Sequence, residues 1–294
     1  MKTENGQDDP RYDILIMLGG LCVAAPYFYK KAECAVDLVS KTLYIPLYGK
    51  ALVSRGGIIL SDRYAEEIWA REGFPLKGKS KSKWLAYFMG MRAAVFDRWV
   101  ENRMQAHPGG VVLHLGCGLD SRAQRVAHSG YLWHDVDFPE VIRERSRYFQ
   151  EDAEYRMLAG DIRDPGYLEQ IPRGKAIVVM EGVSMYLEPE ERRRAIAALA
   201  GHFESVELLA DCYSTFAAKA SRVKNPINDV GVTQVYGLDD PRELETAGIR
   251  FVSELDMTPE ELIRQLRPWE QRIFRKLYAG KFARKLYRMY EFRK

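Results

Sequence analysis

The residues best suited to chemistry each follow a short apolar run of the kind that forms a buried strand. Gly116-Cys117-Gly118 follows Val111, Val112, Leu113 and Leu115, while Asp135 and Asp137 close the run from Tyr131 to Val136. Asp161 follows Tyr155–Ala159, and Glu181 follows Ala176–Met180. A pair of glycines lets the chain turn tightly and leaves room where side chains would stand. An acid about 20 residues beyond such a turn sits at the spacing at which it meets a ribose. In a dinucleotide fingerprint a third glycine admits the pyrophosphate, whereas Ser121 occupies that position here. The turn therefore suits a nucleoside without a diphosphate. S-adenosylmethionine is such a molecule, with adenine and ribose joined to an amino acid through a sulfonium. Its ammonium requires a carboxylate, its carboxylate a cation and its ribose an acceptor. Glu181, Arg92 and Asp137 supply those three groups. Each has a plainer reading as a cap, a turn residue or, for Arg92, one half of an internal salt bridge.

Elements that would position these residues can be read from the same pattern. Residues 111–137 are expected to form strand, turn, helix and strand, with Asp120 and Ser121 capping the helix. A helix from Pro139 through Phe149, a strand at Tyr155–Ala159, a short helix from Asp164-Pro165 and a strand at Ala176–Met180 continue the alternation. Glu188-Pro189 opens a helix to Ala200, Val206–Ala210 makes a further strand ending on Asp211, and Phe251–Leu255 a late one. Capping-box spacing recurs at Asp240 to Glu243 and at Thr258 to Glu261. Alternation of this kind predicts a parallel sheet covered on both faces, with ligands beyond the carboxyl ends of its strands.

The segment before the glycine turn reads as mostly helical. Ser61-Asp62 caps a helix through Trp69, and a helix from Trp84 to Met104 turns Leu85, Phe88, Val95, Phe96 and Trp99 inward around Arg92. Lys41–Lys50, broken by Pro46, reads as a loop, and the lysine-rich Lys77–Lys83 as a solvated one. Gln271–Lys294 is basic and aromatic, with Ile273, Phe274, Leu277, Tyr278, Phe282 and Leu286 near one face of a helix. This divides the chain into a helical lid at 1–83, an αβ core at 84–260 and a basic helical extension at 261–294.

Composition narrows the function classes. The chain has 294 residues, 47% of them hydrophobic, and a net charge of +3, too near balance to imply a nucleic-acid partner. Its four cysteines, at 22, 34, 117 and 212, form no C-x-x-C pair and no zinc spacing, so no metal site is expected. They suit a reducing, cytoplasmic location. The acidic, polar N-terminus is unlike a secretory signal. Ile14–Ala25 is shorter than a membrane span and is interrupted by Gly19-Gly20.

Taken together, LHLGCGLDSR, WHDVDFPEVI and MEGVSMYL resemble the motifs of the leucine carboxyl methyltransferase superfamily. The similarity is greatest to its bacterial branch of polyketide O-methyltransferases, which KTLYIPLYGKAL and MGMRAAVFD also match, so it runs from about Lys41 to about Leu244. The resemblance implies a class I methyltransferase fold, Rossmann-like, with a mostly parallel seven-stranded sheet, helices on both faces and an N-terminal helical lid. It implies S-adenosylmethionine as donor and a small-molecule acceptor methylated on carboxylate or hydroxyl oxygen. By motif position, Arg92 would hold the donor carboxylate and Glu181 its ammonium. Gly116 would lie against its amino-acid moiety, Asp137 would bind the ribose hydroxyls, and Asp161 with Ile162 would face the adenine; Gly118 and Asp135 join the cofactor-binding set through the turn and the acid spacing. Tyr186 would border the acceptor. Ser184 stands where the branch usually has leucine, and there would bear on which acceptor fits.

Methyl transfer from a sulfonium is an in-line displacement that needs no acid for its leaving group, so alignment can supply most of the catalysis. Among the histidines only His134 falls in a strand-end motif, and it alternates away from Trp133 and Asp135. No general base is assigned, which favours an acceptor that ionises readily. Other readings are an RNA methyltransferase using Lys77–Lys83 and the terminal helix, a protein carboxyl-terminus methyltransferase, and a binding module without turnover.

Overall fold

The computed structural model describes residues 32–74, 76, 81–106, 108–220, 235–246 and 248–294, with side chains from Leu43 onward. Ile14–Ala25, Cys22, the side chain of Cys34 and most of the Lys77–Lys83 loop lie outside the described residues. Three helices come first: α1 (Ala32–Arg55), α2 (Arg63–Glu72) and α3 (Lys83–Ala106). The αβ alternation then begins with β1 (Gly110–Leu115), α4 (Arg122–Arg125), β2 (Tyr131–Asp137), α5 (Pro139–Arg145) and β3 (Tyr155–Ala159). It continues with β4 (Lys175–Met180), α6 (Pro189–His202), β5 (Ser205–Tyr213) and α7 (Thr215–Ala220). The chain ends with β6 (Arg250–Leu255), α8 (Glu260–Ile263), α9 (Pro268–Leu277) and β7 (Tyr287–Arg293).

Among the described residues the strands form one seven-stranded sheet in the order β3-β2-β1-β4-β5-β7-β6. The first five strands are parallel, and β7 runs antiparallel to both β5 and β6. Strand order reverses between β1 and β4, which opens the crevice in which ligands of such sheets bind. This is the class I methyltransferase arrangement expected from the sequence. Successive residues of the central strands feed opposite faces. Val112, Ile177 and Leu209 join the apolar layer beneath α1–α3, while Val111, Leu113, Val178 and Leu208 join the layer beneath α6. The middle strands are buried on both sides, which is why they read as continuous apolar runs.

Several local expectations change. Lys41–Lys50 is not a loop: it lies within α1, with Pro46 inside the helix. The helix is held against α3, where Gly49 and Gly90 let the two backbones approach. A Cβ on Gly90 would come within 2.7 Å of Val53 Cγ2. Nor is the C-terminal segment a single helix. It stops at Leu277, and residues 287–293 enter the sheet as β7. Tyr287, Met289 and Glu291 face one side of that strand and Tyr290 and Phe292 the other, all buried, so this segment belongs to the core and is not an extension to it. Asp120 and Ser121 do not cap α4, which makes no side-chain cap bond and lasts four residues. Asp62 does cap α2, accepting from the Ala65 N–H at 2.9 Å. The helix from Pro139 ends at Arg145 instead of Phe149.

Candidate active site

The turn after β1 holds Gly116 and Gly118 at φ of +65° and +52°, in the left-handed region that glycine enters without strain. Its backbone is fixed from below by the Gly116 N–H, which donates to the Val136 carbonyl at 2.8 Å. From above, Leu43 of α1 lies close enough that a Cβ on Gly118 would meet its Cδ2 at 2.8 Å. A Cβ on Gly116 would strike Val183 Cγ2 at 2.3 Å, so close packing as well as φ demands glycine there.

Asp137, the last residue of β2, accepts from the Gly118 N–H and from the Phe138 N–H, each at 2.8 Å. Burial raises its pKa to about 6 despite those two bonds. The acid thus sits against the glycine turn, close to its ionisation point.

Beyond β4, Glu181 lies between two guanidiniums. Arg92 Nη2 of α3 reaches its Oε1 at 2.9 Å, and Arg122 Nη2 of α4 donates to its Oε2. Burial would raise the Glu181 pKa, but Arg92 and Arg122 outweigh it and hold the carboxyl down at about 2. Arg92 in turn has Asp211 Oδ2 at 3.2 Å and donates from Nη1 to the Tyr287 hydroxyl at 2.6 Å. The hydroxyl donates onward to Asp211. Behind Glu181, Arg122 donates from Nε to Asp97 at 2.6 Å, and Lys50 of α1 pairs with Asp120 at 3.0 Å. All of these side chains are buried. Buried charges persist only when paired, so the network ties α1, α3, α4, β4, β5 and β7 together around the sheet's crevice.

Sequence reasoning and structure agree unevenly about individual residues. Arg92, Gly116, Gly118, Asp137 and Glu181 gather around the ends of β1, β2 and β4. Asp135 does not join them. Its carboxylate is fully enclosed, paired with Arg145 and accepting from the Tyr155 hydroxyl at 2.8 Å and Trp133 Nε1 at 2.9 Å. Burial would raise its pKa too, but Arg145 and the neighbouring donors bring it to about 2. Arg145 also donates to the Gly118 carbonyl at 3.0 Å, so Asp135 steadies the glycine turn through Arg145. Asp161 receives Nε of its neighbour Arg163 at 2.9 Å, and Ile162 is buried in the layer beneath α6. Tyr186 closes the turn Ser184–Tyr186, half-buried against the layer beneath α1–α3. The Ser184 hydroxyl donates to the Asp211 carbonyl inside the core.

Arg122, Asp211 and Tyr287 escaped selection for different reasons. Arg122 closes the LHLGCGLDSR motif, and Asp211 follows an apolar strand as Glu181 does, so both carried a signal. Tyr287 carried none, because its segment reads as helix. Among the described residues no cluster of His, Cys, Asp and Glu could hold a metal ion.

The donor set fits S-adenosylmethionine: an acid against the glycine turn, and a cation and an anion side by side at the next strand end. Residues 31–200 match the model of the leucine carboxyl methyltransferase family. The chain is 30% identical over 258 residues to the tetracenomycin polyketide synthesis O-methyltransferase TcmP of Streptomyces glaucescens, covering 85% of this chain and 96% of that protein. It is 27% identical over 240 residues to the S-adenosyl-L-methionine-dependent methyltransferase dpfgK of Gibberella zeae, covering 74% and 80% respectively. A solved structure of magnesium protoporphyrin IX methyltransferase from Synechocystis with bound S-adenosylhomocysteine is similar at a TM-score of 0.46 and 13% identity, over 79% of this chain and 94% of that one.

Proposed function

Because the chain belongs to the leucine carboxyl methyltransferase family, an S-adenosylmethionine-dependent group, we propose that it methylates an oxygen of a small molecule of polyketide type, on a carboxylate or an acidic hydroxyl. The observation that carries this reading is the pairing of Arg92 with Glu181 beside the Asp137 that receives the glycine turn. S-adenosylmethionine, when bound, supplies a methyl group on a sulfonium whose sulfur leaves as a neutral thioether. The protein's part is to bind, align and exclude water.

Arg92 and Glu181 pair with one another, and each has further partners, so a zwitterionic amino acid can take a place between them without stranding either. Arg92 keeps Asp211 and Tyr287, and Glu181 keeps Arg122. In this reading Arg92 takes the donor carboxylate, Glu181 the ammonium and Asp137 the ribose hydroxyls. Gly116 and Gly118 lie along the amino-acid moiety, Asp161 and Ile162 border the adenine, and Tyr186 borders the acceptor. Asp135 acts as a positioning residue. A carboxylate acceptor is already a nucleophile at neutral pH, which suits a site for which no base is assigned. The relationship to a polyketide O-methyltransferase over most of both chains supports a small-molecule acceptor. Cys117 and Cys212 are free thiols, which suits a reducing cytoplasm.

Two measurements test the proposal. Incubation with isotopically labelled donor and a metabolite extract, followed by mass spectrometry, should yield a labelled methyl ester or ether. Asp137→Ala and Glu181→Ala should each weaken donor binding by about tenfold or more in calorimetry. Unchanged affinity in both variants would remove the assignment of the donor site.

A further inference from the structure

His114 stands among the buried charges of the site without being one of them. It lies on β1 opposite Asp135 of β2 in the parallel register, and its ring is buried. Nε2 is 3.2 Å from Arg122 Nη1, and Nδ1 is 3.3 Å from Asp135 Oδ1. The ring therefore fills the space between the guanidinium that pairs with Glu181 and the carboxylate that pairs with Arg145.

These two neighbours decide where its proton sits. A guanidinium has only donors to offer, so Nε2 must be bare to accept from Arg122. An imidazolium would set N–H against N–H there. The neutral ring then carries its hydrogen on Nδ1, facing the Asp135 carboxylate. Burial, with Arg122 beside it, lowers the His114 pKa in spite of Asp135. The other nitrogens of Arg122 have acceptors of their own: Nε donates to Asp97 at 2.6 Å and Nη2 to Glu181. The Phe96 ring lies 5.4 Å from the guanidinium carbon, and Asp120 is 3.4 Å from Nη2. With three carboxylates already around Arg122, a neutral acceptor completes its bonding without placing another anion against Asp135.

We propose that His114 is a positioning residue for the donor's amino-acid end: Asp135 fixes its tautomer, its bare Nε2 holds Arg122, and Arg122 aims the Glu181 carboxylate. The proposal rests on the donor assignments above. The ring itself touches neither donor nor acceptor. Asp135 keeps Arg145, Tyr155 and Trp133 when the ring is removed, so the loss falls on Arg122. A buried N–H without an acceptor is costly, and the guanidinium shifts to recover one, turning Glu181 with it.

The test uses the full chain with isotope-labelled histidine, His114 being assigned by the signal lost in His114→Gln. Ring nitrogen shifts of the ligand-free protein should show a bare Nε2 and a protonated Nδ1. Calorimetry then compares S-adenosylhomocysteine with methylthioadenosine, which lacks the ammonium and the carboxylate. His114→Leu should weaken S-adenosylhomocysteine binding by about tenfold or more and leave methylthioadenosine within about twofold of the parent. His114→Gln, whose amide oxygen can stand where Nε2 does, should restore S-adenosylhomocysteine affinity to within about threefold of the parent. If circular dichroism shows that His114→Leu does not fold, His114→Asn, too short to reach Arg122, carries the same expectations. A ring protonated on Nε2 overturns the proposal. So do unchanged affinity or equal losses for both ligands in a folded variant, or a glutamine variant no tighter than the leucine one. Failure of the parent to bind S-adenosylhomocysteine counts against the methyltransferase reading alone, and is distinguishable because the ring's protonation is read without ligand.

Discussion

Asp135 and Asp137 are two residues apart on one strand and on one face of it, yet their surroundings give them opposite roles. Asp135, held at about 2 by Arg145 and its neighbours, is a structural ion; Asp137, raised to about 6 by burial, is held only by backbone N–H groups. Removing Asp135 leaves the Arg145 guanidinium buried without its anion, so Asp135→Ala should cost about 3–5 kcal/mol in urea unfolding. Asp137→Ala strands no cation, and its main effect should be on donor affinity. The pH dependence follows from the same contrast. Because the folded pKa of Asp137 is raised, its carboxylate is ionised only above about 6. Donor affinity measured by calorimetry should then be level from about pH 6 to about pH 7.5, where the donor's own ammonium begins to lose its proton, and should fall by up to about tenfold per unit below pH 6; Asp137→Asn should abolish that lower slope. Glu181, held at about 2, stays ionised over the same range and does not contribute to it.

At the level of elements, the site depends on α1 and α3 lying close together across the sheet's crevice. Arg92 extends from α3 to Glu181, while α1 brings Lys50 to Asp120 and Leu43 over Gly118. Their crossing relies on Gly90, where an added Cβ would stand only 2.7 Å from Val53 Cγ2, well inside van der Waals contact. Gly90→Val should force the helices apart, at a cost of about 1–3 kcal/mol in thermal or urea unfolding, and should weaken donor binding through the displaced Arg92. The helices themselves were readable from Asp62 and the apolar spacing of residues 84–104. The path of α1 through Pro46 was not, because a proline within a helix is tolerated only where packing compensates for the lost hydrogen bond.

The whole molecule is closed by its last residues. Strand β7 lies between β5 and β6, pairing with both, and Tyr287 at its start reaches Arg92. Truncation after residue 286 should therefore abolish cooperative unfolding and solubility, as judged by circular dichroism and size-exclusion chromatography; a dispensable extension would be lost without harm. By itself the sequence determined the parallel αβ core, the glycine turn with Asp137 beyond it, and the placing of Glu181 and Arg92, because strand ends and turns are set by local patterns of apolar residues, glycine and acids. Only the tertiary structure decided which partner each buried charge takes. It turned Asp135 toward Arg145, gave Glu181 a second guanidinium from Arg122, and made a strand of a segment whose apolar spacing also suits a helix. Ion pairing and sheet insertion join residues up to 195 apart in the chain, a separation over which local pattern carries no information.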